Sequence, residues 1–403
     1  MKFLSLKKLT LKVPTAYSNL LVYSFFLYPV FTYFLSNFIP SIILVITVNL
    51  IILLLFFLLV KDCGIKKDII YVYLITIALF FIYSLQGSLY QSLYLDPQWG
   101  LVAIYGVHTG IFGYALIRSI INLSDFEKQM KKISIILIIF YSIQCLQPLL
   151  HTYWIIDGKQ MVYNMTFGYS IQFPIIFLIY FYLKEKNIIF LIFGFLGIIE
   201  IILFGSRGPL IGIFIYSIMQ FIKYKKKNKN LRIILSLILI IIIFLILSNN
   251  LLIQNTLQFL SEHGITSRTL SKLANDVVTD DTGRSIVRQG ILELLNKFNI
   301  CFGYGPLGDH VLTGHYSHNI LLEVIITFGI VVGPILIVAF IFSFLYSYIK
   351  SKNTLINNYI LIFACLSLPK LFVSSSFWRE SNFWILLGLI VTVIRDKKNL
   401  QKL

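Results

Sequence analysis

Long apolar runs constrain the fold of this chain more than any other feature of its sequence. Residues 233–247, for example, contain one serine among fourteen aliphatic or aromatic residues. The chain has 403 residues, 58% of them hydrophobic and 13% charged. A helix needs about 20 apolar residues to cross a bilayer, so the apolar fraction corresponds to about a dozen such helices. Soluble domains carry about 25% charged residues. The sequence therefore predicts an all-α, polytopic membrane protein.

A window of about 19 residues predicts twelve membrane spans. They cover residues 18–39, 41–60, 68–86, 100–122, 133–150, 167–183, 187–204, 208–222, 231–249, 319–349, 355–375 and 382–394. The connections are short, except for one polar stretch at 250–318. We therefore predict spans 1–9 within residues 1–249, a large external loop with short helices at 250–318, and spans 10–12 with a tail at 319–403.

The charge distribution predicts the orientation of these spans. If the N-terminus is inside, the inner face receives 25 Lys and Arg and six acidic residues, which leaves nine basic and eleven acidic residues elsewhere. This excess follows the positive-inside rule, so both termini are predicted to be cytoplasmic. The net charge of +17 is divided among small patches, none as large as a nucleic-acid footprint, which argues against a nucleic-acid partner. The lysines before the first apolar run, without a small-residue cleavage site, predict a retained signal-anchor.

The first of three external motifs is Gly205-Ser206-Arg207-Gly208-Pro209, between two predicted spans. Pro209 suits the first turn of a helix, and the free N–H groups of that turn together with Arg207 form an anion site, above all for phosphate. In the alternative interpretation, Arg207 only contacts lipid headgroups. Glu200 lies two helical turns below Arg207, inside a span where an unpaired carboxylate is costly. It either orients Arg207 or bonds a neighbouring helix, and Ser206 is a possible supporting residue.

The second motif is the segment 280–288, Asp-Asp-Thr-Gly-Arg-Ser-Ile-Val-Arg, in the external loop. Apolar residues follow it at three- and four-residue spacing, which predicts a helix. Arg284 and Arg288 are four residues apart and would share one face. Two guanidinium groups on one face could hold a pyrophosphate by bidentate contacts. A solvated amphipathic helix with ion pairs to Asp280 or Asp281 is an equally good alternative from spacing alone.

The third motif is a Gly303-Tyr304-Gly305-Pro306 turn followed by Gly314-His315-Tyr316-Ser317-His318-Asn319. His318 lies where the loop enters the next span, and its imidazole titrates near neutrality, so we predict it to be the catalytic base. His315, Tyr316 and Asn319 are possible supporting residues. Alternatively, His318 is an interfacial polar group and Asn319 caps the helix. Glu323, inside the next span, is predicted to face a cavity or a basic partner.

Other chemistry finds no support in the sequence. His315-x-x-His318 lacks a second pair of metal ligands, so we expect no metal site. Neither a Gly-rich phosphate loop nor a serine nucleophile elbow is present, and we expect no cofactor. Gly329-x-x-x-Gly333 predicts close packing of helices.

The three motifs, in this order and spacing within about 200–335, resemble the O-antigen polymerase and O-antigen ligase family. The similarity rests on Ser-Arg-Gly at the head of a late span, Thr-Gly-Arg before a loop helix, Gly-x-Gly-Pro, and a His-Asn pair leading into Gly-Ile-x-x-Gly. Residues 1–200 resemble the family only in the number of spans. Val287-Arg288 replaces an apolar pair that many relatives have.

The resemblance implies a C-type glycosyltransferase-like fold in the bacterial cytoplasmic (inner) membrane. The implied substrates are undecaprenyl-pyrophosphate-linked oligosaccharides, which a polymerase joins into O-antigen or capsular polysaccharide at the outer face. Arg207, Arg284 and Arg288 would bind pyrophosphate, and His318 would be the base. Besides membrane lipids, the implied partners are a chain-length regulator and a flippase. The alternatives are an O-antigen ligase, whose acceptor is lipid A core, and a polysaccharide flippase, which should instead scatter polar residues through many spans.

Overall fold

The computed structural model describes residues 15–36, 38–39, 41–85, 99–120, 122–150, 155–156, 159–160, 165–206, 208–224, 254–255, 258–259, 262, 284–297, 301–351 and 354–395. In these ranges the regular structure is helical, apart from one antiparallel pair of two-residue strands, β1 (Ile155–Ile156) and β2 (Lys159–Gln160). The all-α prediction is therefore confirmed.

We label the helices of the described part of the chain α1 to α14. They are α1 Thr15–Phe26, α2 Tyr28–Leu35, α3 Ser41–Cys63, α4 Lys67–Ser84, α5 Trp99–Ser119, α6 Leu123–Leu150, α7 Met165–Glu185, α8 Ile188–Phe204, α9 Gly208–Tyr224, α10 Arg284–Lys297, α11 Gly308–Thr313, α12 Ile320–Lys350, α13 Thr354–Val373 and α14 Ser381–Arg395.

Five of these helices contain a stretch long and apolar enough to cross a membrane, namely α3, α4, α7, α12 and α13. The bent pair α1 and α2 makes a sixth if it counts as one broken span, and α8, α9 and α14 are shorter apolar helices. In α3, α4 and α12 only 22% of the most apolar window is buried, so their apolar side chains are available to lipid. These helices indicate a membrane protein. The total of twelve spans stays a prediction, and the predicted span 231–249 lies outside the described residues.

The helices differ from the predicted spans in two places. The first predicted span is interrupted at Leu27, because Pro29 at the start of α2 lacks the N–H that a continuous helix requires. The predicted cytoplasmic connection 125–132 is helical and belongs to α6. Phe126 and Met130, four residues apart, are both buried and extend the apolar face of α6 into this charged stretch.

The chain forms two compact units, which we describe separately. The first comprises Met1–Phe25, Ile46–Phe126 and Asp281–Leu403. Within it α5 packs along α14, α13 packs against α14, and α12 contacts α11, α13 and α14. Glycines allow the close approach of α5: a Cβ at Gly113 would lie 2.6 Å from the Ser381 carbonyl oxygen.

A buried ion pair also lies in this first unit. Arg118 donates from Nε to Asp68 Oδ2 at 2.7 Å and from Nη2 to Oδ1 at 3.2 Å. Tyr114 donates to the same carboxylate, and Thr392 accepts from Arg118. Our charge count treated Asp68 and Arg118 as free cytoplasmic charges, which the structure corrects. Since the pair is neutral, the predicted excess of positive charge inside is unchanged.

The second unit comprises Phe26–Val45 and Glu127–Asp280, and α7 is its centre. Of the most apolar window of α7, 83% is buried, and α8 and α9 pack against it. At the end of α7, Lys184 pairs with Glu127 at 2.6 Å and Glu185 pairs with Lys131 at 2.5 Å. The stretches 125–132 and 184–186, both predicted to be cytoplasmic, therefore contact each other.

Candidate functional site

The structure describes only part of the predicted site. Arg207 and most of the external loop lie outside the described residues, and for Arg284 the structure describes the backbone at the start of α10 but not the side chain. The convergence of Arg207 and Arg284 on one pyrophosphate therefore stays a prediction. The remaining residues of the second and third motifs all lie in the first unit.

The Gly303-Tyr304-Gly305 turn binds the backbone of a broken helix. Gly329 has φ of 83° inside α12 and divides it into 320–328 and 330–350. The carbonyls of Ile326 and Thr327, which the break leaves without helical partners, accept hydrogen bonds from the N–H groups of Tyr304 and Gly305 at 2.7 and 2.9 Å. A side chain at Gly303 would collide with this backbone.

This geometry corrects the prediction for Gly329-x-x-x-Gly333. Gly329 breaks its helix and does not serve helix packing. A Cβ at Gly333 would lie 2.9 Å from Cα of Ile325, eight residues earlier in the same chain segment. In a straight helix eight residues span about 12 Å, so α12 turns sharply at Gly329. The His318 motif therefore leads into a short helix and not directly into a straight span.

Asp309 closes the loop that precedes His318. Its buried carboxylate accepts from the N–H of His310 at 2.9 Å and from the N–H of Ser317 at 2.7 Å. Thr313 spans the same loop, since its hydroxyl donates to the carbonyls of Asp309 and His315. Burial raises the pKa of the Asp309 carboxyl, although the two N–H groups act in the opposite direction. This carboxylate therefore holds the backbone immediately before His318.

His318 lies at the end of this loop with a left-handed backbone, φ 50°. Its imidazole is half-buried and packs edge-to-face on Tyr316, with ring centroids 5.3 Å apart. Tyr316 also stacks on His310 at 5.9 Å. These three side chains, His310, Tyr316 and His318, form what we call the ring row. A left-handed residue other than glycine costs about 1 kcal/mol or more and often marks a functional site.

One predicted supporting residue, Asn319, and one predicted pyrophosphate ligand, Arg288, have described contacts at this point. Asn319 accepts from the N–H groups of Leu321 and Leu322 and so caps α12, as the alternative interpretation held. Arg288, thirty residues earlier, donates from Nη2 to the His318 carbonyl at 3.4 Å. The buried Nε of Arg288 has no hydrogen-bond partner within the described ranges. His315 is exposed.

Glu323 is buried in the first turn of α12. We predicted a cavity or a basic partner, but the described contacts are hydrogen bonds from the connection between α13 and α14. Ser376 donates from Oγ to one carboxylate oxygen, and the N–H of Phe377 donates to the other at 3.1 Å. Glu323 thus fixes this connection next to the helix that His318 precedes.

Arg379, in that same connection, was not predicted from the sequence. Its side chain lies across α5, where a Cβ at Gly106 would be 2.6 Å from Nε. The guanidinium is half-buried, and the structure shows no hydrogen bond or ion pair from it to a described residue. The neighbouring Glu380 pairs with Lys370 instead, at 2.5 Å. Burial and the charges of His315 and Arg379 lower the pKa of His310.

One signal could have identified Arg379. Residues 374–380 connect the last two predicted spans and lie outside on the predicted topology, where basic residues are infrequent.

The first motif lies in the second unit. Gly205 packs against α7, since its Cβ would be 3.1 Å from Cα of Gly168. Pro209 lies in the first turn of α9, as predicted. Glu200 and Ser206 are buried, and the described residues offer no hydrogen-bond partner to Glu200 Oε2 or Ser206 Oγ. Whether Glu200 orients Arg207 stays a prediction, because Arg207 lies outside the described residues.

Neither a family model, nor a curated protein, nor a solved structure matches this chain. In the described part of the chain, no three His, Cys, Asp or Glu side chains are grouped as a metal site requires. Function must therefore be argued from the arrangement around the ring row: a half-buried histidine, arginines without described acidic partners, and buried carboxylates bonded to backbone N–H groups.

Proposed function

We propose that this protein is a polymerase that joins undecaprenyl-pyrophosphate-linked oligosaccharide units into a surface polysaccharide. Two things support the proposal: the resemblance of its ordered motifs to the O-antigen polymerase and ligase family, and the contact between Arg288 and His318. That contact is the main observation. Arginine is a side chain that binds phosphate, and Arg288 reaches the backbone carbonyl of the candidate base, His318, across thirty residues of sequence.

The proposed reaction needs one base and one set of positive charges. A sugar hydroxyl of the acceptor attacks the anomeric carbon of the donor, the bond from that carbon to the pyrophosphate oxygen breaks, and the pyrophosphate leaves with the electron pair. His318 accepts the hydroxyl proton. Arg284 and Arg288, together with Arg207, neutralise the charge that develops on the leaving group, an effect that is strong in a site with little water.

The topology belongs to the same proposal. Twelve spans, cytoplasmic termini and an external 250–318 segment in the cytoplasmic membrane would put the ring row at the outer face. A membrane-impermeant cysteine reagent tests this in intact cells. We expect labelling of a cysteine introduced at position 275 and none at position 227, and the reverse pattern would overturn the site assignment.

Substitution of His318 by asparagine tests its role as the base. Asparagine tolerates a left-handed backbone better than alanine does, so His318→Asn removes the imidazole with the least disturbance of the loop. We expect turnover to fall by about 100-fold or more, while the apparent affinity for the donor stays within a few-fold. The assay uses purified protein and synthetic carrier-linked repeat units.

His315→Asn is the matched control, since this histidine lies three residues earlier and is exposed. We expect a milder effect from it. If His318→Asn raises the donor KM and leaves kcat intact, His318 binds substrate and does not act as the base. The products separate polymerase from ligase: polymer on the lipid carrier supports the proposal, and transfer of preformed polymer to lipid A core contradicts it.

A further inference from the structure

The connection between α13 and α14 contains Arg379, and a buried carboxylate bonds to residues on each side of it. Glu323 holds Ser376 and Phe377. On the other side of Arg379, Glu380 accepts from Asn382 Nδ2 at 3.0 Å and pairs with Lys370 at 2.5 Å. The connection is therefore fixed at both ends by buried carboxylates.

Both carboxylates that could neutralise Arg379 are engaged elsewhere. Its own described hydrogen bond is made by the backbone, from its N–H to the Ser376 carbonyl at 3.2 Å. A half-buried guanidinium loses part of its hydration, and a bound anion would compensate for that loss. Among the described residues no carboxylate forms an ion pair with Arg379, since Glu323 accepts from Ser376 and Phe377 and Glu380 pairs with Lys370.

The position of Arg379 relates it to the ring row. Glu323, which holds the connection, lies in the first turn of the helix that Asn319 caps and His318 precedes. Arg379 follows Phe377, which donates to Glu323, by two residues. The charge of Arg379 is also one of the causes that lower the pKa of His310. Arg288 contacts the carbonyl of His318 in the same row.

We infer that Arg379 is a substrate-binding arginine that binds an oxyanion of the lipid-linked oligosaccharide beside the ring row. This rests on the proposed function and adds to it a residue outside the three motifs. A planar guanidinium binds phosphate or carboxylate by two parallel hydrogen bonds. The oxyanion is either the pyrophosphate of the carrier or the carboxylate of an acidic sugar.

Ligand binding to the purified, full-length protein in detergent tests the inference. Farnesyl diphosphate represents the carrier pyrophosphate and glucuronate represents an acidic sugar, and isothermal titration measures the dissociation constant of each. For the probe that represents the natural oxyanion, we expect Arg379→Gln to weaken binding at least 10-fold. Arg379→Lys should weaken it several-fold, because lysine retains the charge but not the two parallel donors.

Arg395→Gln is the matched control, because Arg395 is an exposed arginine at the far end of α14. It should bind both probes as the wild type does. Elution as a single symmetric peak, with an unchanged unfolding midpoint, shows that each variant is folded. Should Arg379→Gln fail this criterion, the Arg379→Lys result decides.

Each outcome has a defined meaning. Loss confined to farnesyl diphosphate supports the inference and assigns Arg379 to the pyrophosphate, and loss confined to glucuronate supports it and assigns Arg379 to a sugar carboxylate. Unchanged binding of both probes by the Arg379 variants, while Arg288→Lys weakens farnesyl diphosphate binding, overturns this inference alone. A wild-type protein that binds neither probe overturns both this inference and the proposed function.

Discussion

Arginines and carboxylates are arranged in opposite ways at two places in the first unit. Between α4 and α5, Arg118 and Asp68 are bonded to each other through two hydrogen bonds, and the arginine is almost fully buried. Around the ring row, Asp309 and Glu323 accept from backbone N–H groups, together with the Ser376 hydroxyl in the case of Glu323.

The arginines near the ring row have no acidic partner among the described side chains. Arg288 donates to a carbonyl, and Arg379 lies across a glycine of α5. An arginine that is paired with a carboxylate does not need an anionic ligand, whereas an arginine without such a partner can bind one. If the proposed function holds, this difference separates a structural arginine from arginines used in binding.

The largest expected effect is on the structural pair. Arg118→Met leaves Asp68 buried without its cation, and we expect the free energy of unfolding to fall by about 3–5 kcal/mol. The double variant Asp68→Leu/Arg118→Met should recover most of this loss, because it removes both charges from the interior. Denaturant unfolding in detergent, followed by tryptophan fluorescence, measures both.

Arg288→Met is the comparison variant for Arg118→Met. It removes an arginine near the ring row that donates one long hydrogen bond, so the unfolding free energy should fall by only about 1 kcal/mol, while most polymer formation is abolished. If Arg288→Met proves as destabilising as Arg118→Met, the distinction between structural and binding arginines fails.

An intermediate effect is expected at Asp309, whose carboxylate receives two backbone N–H groups. Asp309→Asn replaces one acceptor by a donor that faces an N–H, and a buried donor without a partner costs about 1–3 kcal/mol. Hydrogen–deuterium exchange should become faster in 309–319. Glu293→Gln, an acid-to-amide change on the exposed face of α10, is the control. Unchanged exchange in Asp309→Asn would contradict the role of this carboxylate in closing the loop.

The described helices were largely predictable because their cause is local. Apolar composition along 15 to 31 residues marks most of them, and local exceptions such as Pro29 and the amphipathic start of α6 moved the boundaries. The Gly303-Tyr304-Gly305 turn was also predictable as a turn. Its partner was not, because the broken end of the helix at Gly329 lies more than twenty residues later and no periodicity links the two.

The candidate site was predictable to the same degree. His318 and Arg288 stand in motifs, and their residue types predicted a base and an anion ligand before any contact was known. The roles of Asp309 and Glu323 depend on partners eight and more than fifty residues away. In the sequence, Arg379 stands out only as a basic residue in a predicted external connection, and the bonds of Glu323 and Glu380 add that these carboxylates have other partners.

The smallest expected effect concerns pH. Because burial and two positive neighbours, His315 and Arg379, lower the pKa of His310, the folded protein binds this proton less readily than the unfolded chain. The stability that neutral His310 provides is therefore fully present above the ordinary histidine pKa of about 6.5 and is lost as pH falls through the lower pKa of the folded state. The contribution of Asp309 to the pH dependence of stability has the opposite sign, since its raised pKa makes stability fall as pH rises from about 4.

The difference in stability between the wild type and His310→Asn, followed across pH, gives the contribution of His310. Between pH 7 and 5, the wild type should lose more stability than the variant, by less than the about 1.4 kcal/mol per pH unit that a whole proton gives. Unfolding midpoints across this range measure it, and parallel curves for the two proteins would show that no buried, neutral histidine lies at this end of the ring row.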